Sequence, residues 1–250
     1  MSKEEFSIIE LVPIKVKNPK IIVGIPDVGL VGLIAVGHLI QSLGMNEVGY
    51  FESEALPPVI ILHNGDPKAP IRLYNKNDII LIISEIPLSS QIIYPLAKSI
   101  VRLAKQSEAK ILINLSGLAV PNRLEIDKPK VYGVATTEEA KELLKSVDIP
   151  FYNEGIMIGA YALILKESIN QKVSNITLLA ESHYQFPDPA ASAYLIETLK
   201  KLIKIDVDVK PLLEQAEEIR IKARELMRRT RESMESMQKD REKELPGIYV

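Results

Sequence analysis

The chain has 250 residues, 46% hydrophobic and 26% charged, enough to bury a full core in one large domain or two small ones. Its formal net charge of −2 gives no electrostatic reason to bind nucleic acid or an anionic membrane. The lack of cysteine excludes disulfides, thiolate chemistry and zinc–thiolate sites. Residues 1–10 hold no signal-peptide core, and no apolar run reaches the roughly 18 to 20 residues of a membrane span. The expected location is therefore cytoplasmic, with no membrane partner. Abundant lysine and glutamate suit a thermophile's cytosol.

Ile21-Ile22-Val23-Gly24 reads as a buried strand closed by Gly24 and Pro26, and Leu30 to Leu43 as a helix stopped by Gly44. Val48 to Glu52, Val59 to His63 and Ile71 to Asn75 are short strand candidates. The Asn64-Gly65-Asp66-Pro67 turn between the last two predicts that they pair as an antiparallel hairpin. Asp78 to Ser84 is the clearest fully buried strand, and an amphipathic helix follows from Ser90 to Gln106. Lys110 to Leu115 is a further buried strand, ending at Ser116-Gly117, and Val131 to Ala135 another. A helix begins near Thr136-Thr137-Glu138-Glu139, where a threonine cap and acidic first turn complement the helix dipole. Gly159 to Ser168 reads as helix, Asn175 to Ala180 as strand and Pro189 to Leu202 as helix.

Buried strands alternating with helices imply a largely parallel sheet covered on both faces, made mixed by the hairpin region. Composition shifts after Asp208. From Glu214 to Glu244, 18 of 31 residues are charged, nine of each sign, without Gly or Pro. Pro211 suits the first turn of a helix over 211–244. Leu212, Ala216, Ile219, Ala223, Leu226 and Thr230 recur at spacings of four and three, a coiled-coil-like seam that weakens through Ser233 and Met237. Such a helix either packs by its upper half on its own domain or forms an arm that meets another subunit and projects. The expected division is a core over 1–208, a charged helical extension over 209–245 and a docking tail over 246–250.

Pro246 and Gly247 stop the helix and free Ile248, Tyr249 and Val250. An aliphatic residue, a tyrosine and a terminal carboxylate make a compact recognition element. The aliphatic chain fills an apolar pocket, the phenol adds flat area with a hydroxyl, and a lysine or backbone donors can capture the carboxylate.

Catalytic chemistry finds little support. Gly24-Ile25-Pro26-Asp27-Val28-Gly29-Leu30-Val31-Gly32 is neither a dinucleotide fingerprint nor a P-loop. Its helix N-terminus could hold an anion, but close strand–helix packing through Gly29 and Gly32, with Asp27 as cap, explains it more simply. His38, His63 and His183 lack metal-ligand spacing, and the adjacent Ser182 and His183 are not a nucleophile–base pair. Asn114-Leu115-Ser116-Gly117 lacks the hydrolase elbow. Glu85 and Glu181 each follow a buried strand where α/β folds place ligands, and so form a candidate carboxylate pair. No metal site and no cofactor is expected.

Several stretches together resemble the archaeal and eukaryotic proteasome assembly chaperone family: Gly24 to Gly32, Ile113-Asn114-Leu115-Ser116-Gly117, Val131-Tyr132-Gly133-Val134-Ala135, Gly155 to Gly159 and Pro187 to Ser192. The likeness spans about 20 to 220, and the order of these motifs carries it. It implies a three-layer α/β/α sandwich with a C-terminal helical extension, agreeing with the strand–helix alternation. It further implies a homo-oligomeric, ATP-independent protein that is not an enzyme. Such a protein binds proteasome α subunits through a C-terminal hydrophobic-Tyr-X motif, here Ile248, Tyr249 and Val250, and assists assembly of the 20S α ring. A cap or activator of the mature 20S particle would use the same tail. A nucleotide- or small-molecule-binding enzyme with its site at Gly24 to Gly32 is the reading from a different class.

Overall fold

A computed structural model describes residues 5–244. Among the described residues ten strands are present: β1 (Ser7–Glu10), β2 (Lys20–Gly24), β3 (Asn46–Glu52), β4 (Ile61–His63), β5 (Asp66–Lys68), β6 (Ile71–Lys76), β7 (Ile79–Ser84), β8 (Ile111–Ala119), β9 (Val131–Ala135) and β10 (Asn175–Ser182). Seven α-helices accompany them: α1 (Val31–Leu43), α2 (Ser90–Gln106), α3 (Glu138–Ser146), α4 (Ala160–Gln171), α5 (Pro189–Ile203), α6 (Lys210–Glu214) and α7 (Ala216–Glu244).

Eight strands form one mixed sheet in the order β1-β3-β6-β7-β2-β8-β10-β9. Its centre, β7-β2-β8-β10, is parallel, while β1, β3, β6 and β9 join antiparallel at the flanks. The central strands are buried on both faces because successive residues alternate between two cores. In β2, Ile22 meets the helices of one face and Ile21 and Val23 those of the other. Residues of α1, α3 and α5 cover the first face and those of α2 and α4 the second, which makes three α/β/α layers.

The helix ends follow local chemistry. Thr137 accepts from the Ala140 N–H at 3.2 Å, with Glu138 and Glu139 in the first turn of α3. Gly44 closes α1 in the left-handed region.

Two expectations of the strands need correction, and one strand lies where none was expected. The Asn64-Gly65 turn does close a hairpin, but it pairs β4 with β5 in a separate two-stranded sheet. Both turn residues have positive φ, 52° and 88°. A two-residue turn of this kind sets Asp66 directly opposite His63, so the pairing is used up before Ile71. Strand β6 instead lies between β3 and β7. Strand β8 runs on past Ser116-Gly117, because β10 continues beside it to Ser182↔Ala119. Strand β1 extends the sheet beyond β3; Phe6, just before it, is fully buried edge-to-face against Phe51.

The C-terminal helices are two. Pro211 lies in the first turn of the short α6, and the helix is interrupted at Gln215 before α7. Helix α7 packs on its own domain: Ile219, Ala223, Leu226, Met227, Thr230, Met234 and Met237 lie on its half-buried or buried side. This stripe has the 3.6-residue period of a surface helix on a core and reaches Met237. Ser233 adds a hydrogen bond to the Leu88 carbonyl at 2.6 Å. Among the described residues no helix is long and apolar enough to cross a membrane.

Candidate functional site

The tail residues Ile248, Tyr249 and Val250 lie outside the described residues. Within them, the chemistry gathers at the C-terminal edge of the parallel strands, where open α/β sheets place ligands.

The turn after β2 is built for close packing. A Cβ on Gly32 would overlap the Leu115 carbonyl oxygen, so only glycine lets α1 lie this close to β8. A Cβ on Gly29, at φ 61°, would strike the Ser182 hydroxyl. Asp27 occupies the start of the 3₁₀ turn Val28–Leu30 and accepts from the Val28 N–H at 2.6 Å. Its second oxygen accepts from the Ser116 hydroxyl of β8. A carboxylate therefore sits where an anion would dock, which argues against phosphate at this turn. Asp27 is half-buried. Burial pushes it above the ordinary carboxylate value, and the bonds from Ser116 and Val28 pull the other way.

Tyr161 of α4 reaches the same corner. Its hydroxyl accepts from the Ile25 N–H at 2.9 Å. Burial, and then the negative charge of Asp27, hold the phenol well above its usual range, so it remains neutral. Asp27, Ser116, Tyr161 and Tyr184 line a cavity of about 200 Å³. Thr230, Ser233, Met234 and Met237 of α7 also line it, and Ile156 and Ile158 come from the loop before α4.

On the other side of the same edge, Asp188 anchors a second corner. It caps α5 through the Ala191 N–H at 3.0 Å. It also accepts from both Arg123 Nε at 2.7 Å and Arg123 Nη2 at 3.1 Å, a bidentate pair buried on both sides. The Asp188 N–H donates to the Gly29 carbonyl, which ties this corner to the Asp27 turn.

The structure separates the candidate carboxylates. Glu85 follows β7 and is held by Arg72 and by His63 at 2.9 Å. Glu181, in β10, accepts from the Lys130 N–H at 2.8 Å and the Tyr132 hydroxyl at 3.2 Å. Two strands lie between β7 and β10, so the carboxylates stand roughly 14 Å apart at ~4.8 Å per strand, too far to share a substrate bond. His38 binds the Asp208 carbonyl at 2.7 Å and joins α1 to the segment before α6. The Ser182 hydroxyl points to the His183 carbonyl, not its ring. Burial holds the His183 ring below its ordinary value, partly offset by Asp188. Among the described residues no group of His, Asp and Glu could hold a metal ion.

Sequence reasoning passed over Tyr161, Tyr184 and the Arg123–Asp188 pair. The usable signal for the pair was Pro187-Asp188-Pro189, an acid at a helix start. A tyrosine inside α4 resembles any core aromatic.

The sequence profile of the PAC2 family matches residues 21–227. An uncharacterised protein of Methanocaldococcus jannaschii is 31% identical over 247 residues, covering 99% of either chain. The crystal structure of Pyrococcus furiosus PbaA, described as an archaeal homolog of proteasome-assembly chaperone, superposes with a TM-score of 0.85 at 32% identity. It covers 91% of this chain and 100% of that one. Pyrococcus furiosus PbaB, described as an archaeal proteasome activator, has a TM-score of 0.75 at 22% identity over 89% of this chain and 99% of that one. At that identity the likeness concerns the fold.

Proposed function

The chain belongs to the PAC2 family, and from that premise we propose that it is a proteasome-binding assembly chaperone without enzymatic activity. The observation that carries this reading is the PbaA likeness, 32% identical and spanning that whole chain. The scattered carboxylates support it from the other side, since Glu85 and Glu181 are each consumed by their own neighbours.

In this reading Ile248, Tyr249 and Val250 dock on the 20S α ring. Ile248 fills an apolar pocket, Tyr249 adds ring area and a hydroxyl, and Val250 supplies the terminal carboxylate to a lysine of the pocket. Helix α7, roughly 44 Å long at ~1.5 Å per residue, leads the chain toward that tail. A three-residue anchor is weak alone, so a homo-oligomer presenting several tails raises the effective concentration of each. The protein acts in the cytoplasm without ATP or another cofactor.

The tail carries two separable terms. Tyr249→Ala removes the ring and keeps the carboxylate; one residue added after Val250 displaces the carboxylate and keeps the ring. Each variant weakens binding to α subunits in pull-down, and full binding by both overturns the docking mode. The same tail would serve one further reading, activation of the mature particle. Assembly rate and peptidase activity, measured with the protein added, separate the two roles.

A further inference from the structure

We propose that the cavity between the Asp27 turn and α7 is a binding site for a small apolar ammonium compound. This goes beyond the docking role and does not depend on it. Two observations carry the assignment.

The first is charge. Among the described residues lining the cavity, Asp27 is the one charged side chain, set among apolar groups such as Ile25, Leu88 and Met234. A carboxylate in such a setting lacks a counter-cation, and an ammonium head would supply it. The second is size. A dry cavity of about 150 Å³ accommodates benzene, so the 200 Å³ here fits an aromatic ring with a short aminoalkyl group. The two serine hydroxyls of the lining are already committed. The Ser233 hydroxyl donates to the Leu88 carbonyl and the Ser116 hydroxyl to Asp27.

The test uses the full chain and four probes of similar shape: benzylamine, benzyl alcohol, toluene and benzoate, followed by calorimetry and amide-resolved NMR. Benzylamine should bind saturably and roughly tenfold more tightly than benzyl alcohol, as expected for a partly desolvated opposite charge, with benzoate weakest. Asp27→Asn keeps an oxygen for the Val28 N–H and removes the charge, so it should erase the preference for the amine over the alcohol. Met234→Trp fills the cavity and should abolish binding of both, with Asp27 untouched. Benzylamine that does not saturate, or binds no better than benzoate, overturns the assignment whatever the variants do. Binding unaffected by Met234→Trp overturns it as well, because the guest is then elsewhere.

Discussion

Replacing Asp188 by alanine strikes a polar group tied to three other residues by its carboxylate. Its carboxylate takes both Arg123 nitrogens, the Ala191 N–H and, at 3.3 Å, the His183 N–H. The side chains of Arg123 and Asp188 are 8% and 1% exposed. Asp188→Ala leaves the guanidinium buried without its partner, a loss of about 3–5 kcal/mol. The missing α5 cap adds about 1 kcal/mol. Against a total stability of roughly 5–15 kcal/mol this is a large fraction. At about 2–4 °C per kcal/mol for a chain of this size, the melting temperature falls by roughly 10–20 °C. Chemical denaturation with a thermal melt measures both quantities. Replacing Arg123 by methionine in the same chain removes the stranded charge and should recover about 2 kcal/mol or more. A loss below about 1 kcal/mol for Asp188→Ala, or no recovery in the double variant, would show that the pair is not buried as described.

Gly32→Ala pushes a methyl into the Leu115 carbonyl and should prevent folding or separate α1 from β8. Gly37→Ala, where a Cβ meets nothing within 4 Å, should stabilise by about 0.5–1 kcal/mol; denaturation midpoints compare the two. Thr230→Val removes a buried hydroxyl without a partner and should raise the stability of the free protein by about 1 kcal/mol in the same assay. Met227→Asp buries a charge at a residue 1% exposed and should undock α7, seen as protease cleavage within the helix while the sheet stays protected. The Asp27 carboxyl is raised by burial on folding. Its favourable contribution is therefore complete below the unfolded value of about 3.9 and is lost as pH rises through the folded value. Urea melts across this range should show the wild type losing stability relative to Asp27→Asn as pH rises, and parallel curves would contradict the direction.

The legible parts of the fold were those where one short segment decides the outcome. Ile79 to Ile83 is uniformly apolar because both faces of β7 are covered, and Thr137 with Glu138 and Glu139 announces a helix start. The β4–β5 pairing was hidden because the same turn chemistry fits a short or a long hairpin, and only the competition of β3 and β7 for β6 decides it. Strand β1 has four residues at the sheet edge, too few for a period to register. The cavity was illegible for another reason. Asp27, Ser116, Tyr161 and Thr230 come from four distant segments, and no spacing rule joins them. Helix α7 stands between these cases. Its alternating seam marked the correct side, yet a heptad-like pattern looks the same whether the partner is another subunit or the helix's own domain.

The central claim, docking through the C-terminal tail, is tested most directly by deleting Ile248 to Val250 and following co-migration with proteasome α subunits. The account predicts a large loss of binding while the melting temperature and the oligomeric state stay as in the full chain. Undiminished co-migration by the truncated protein would contradict it.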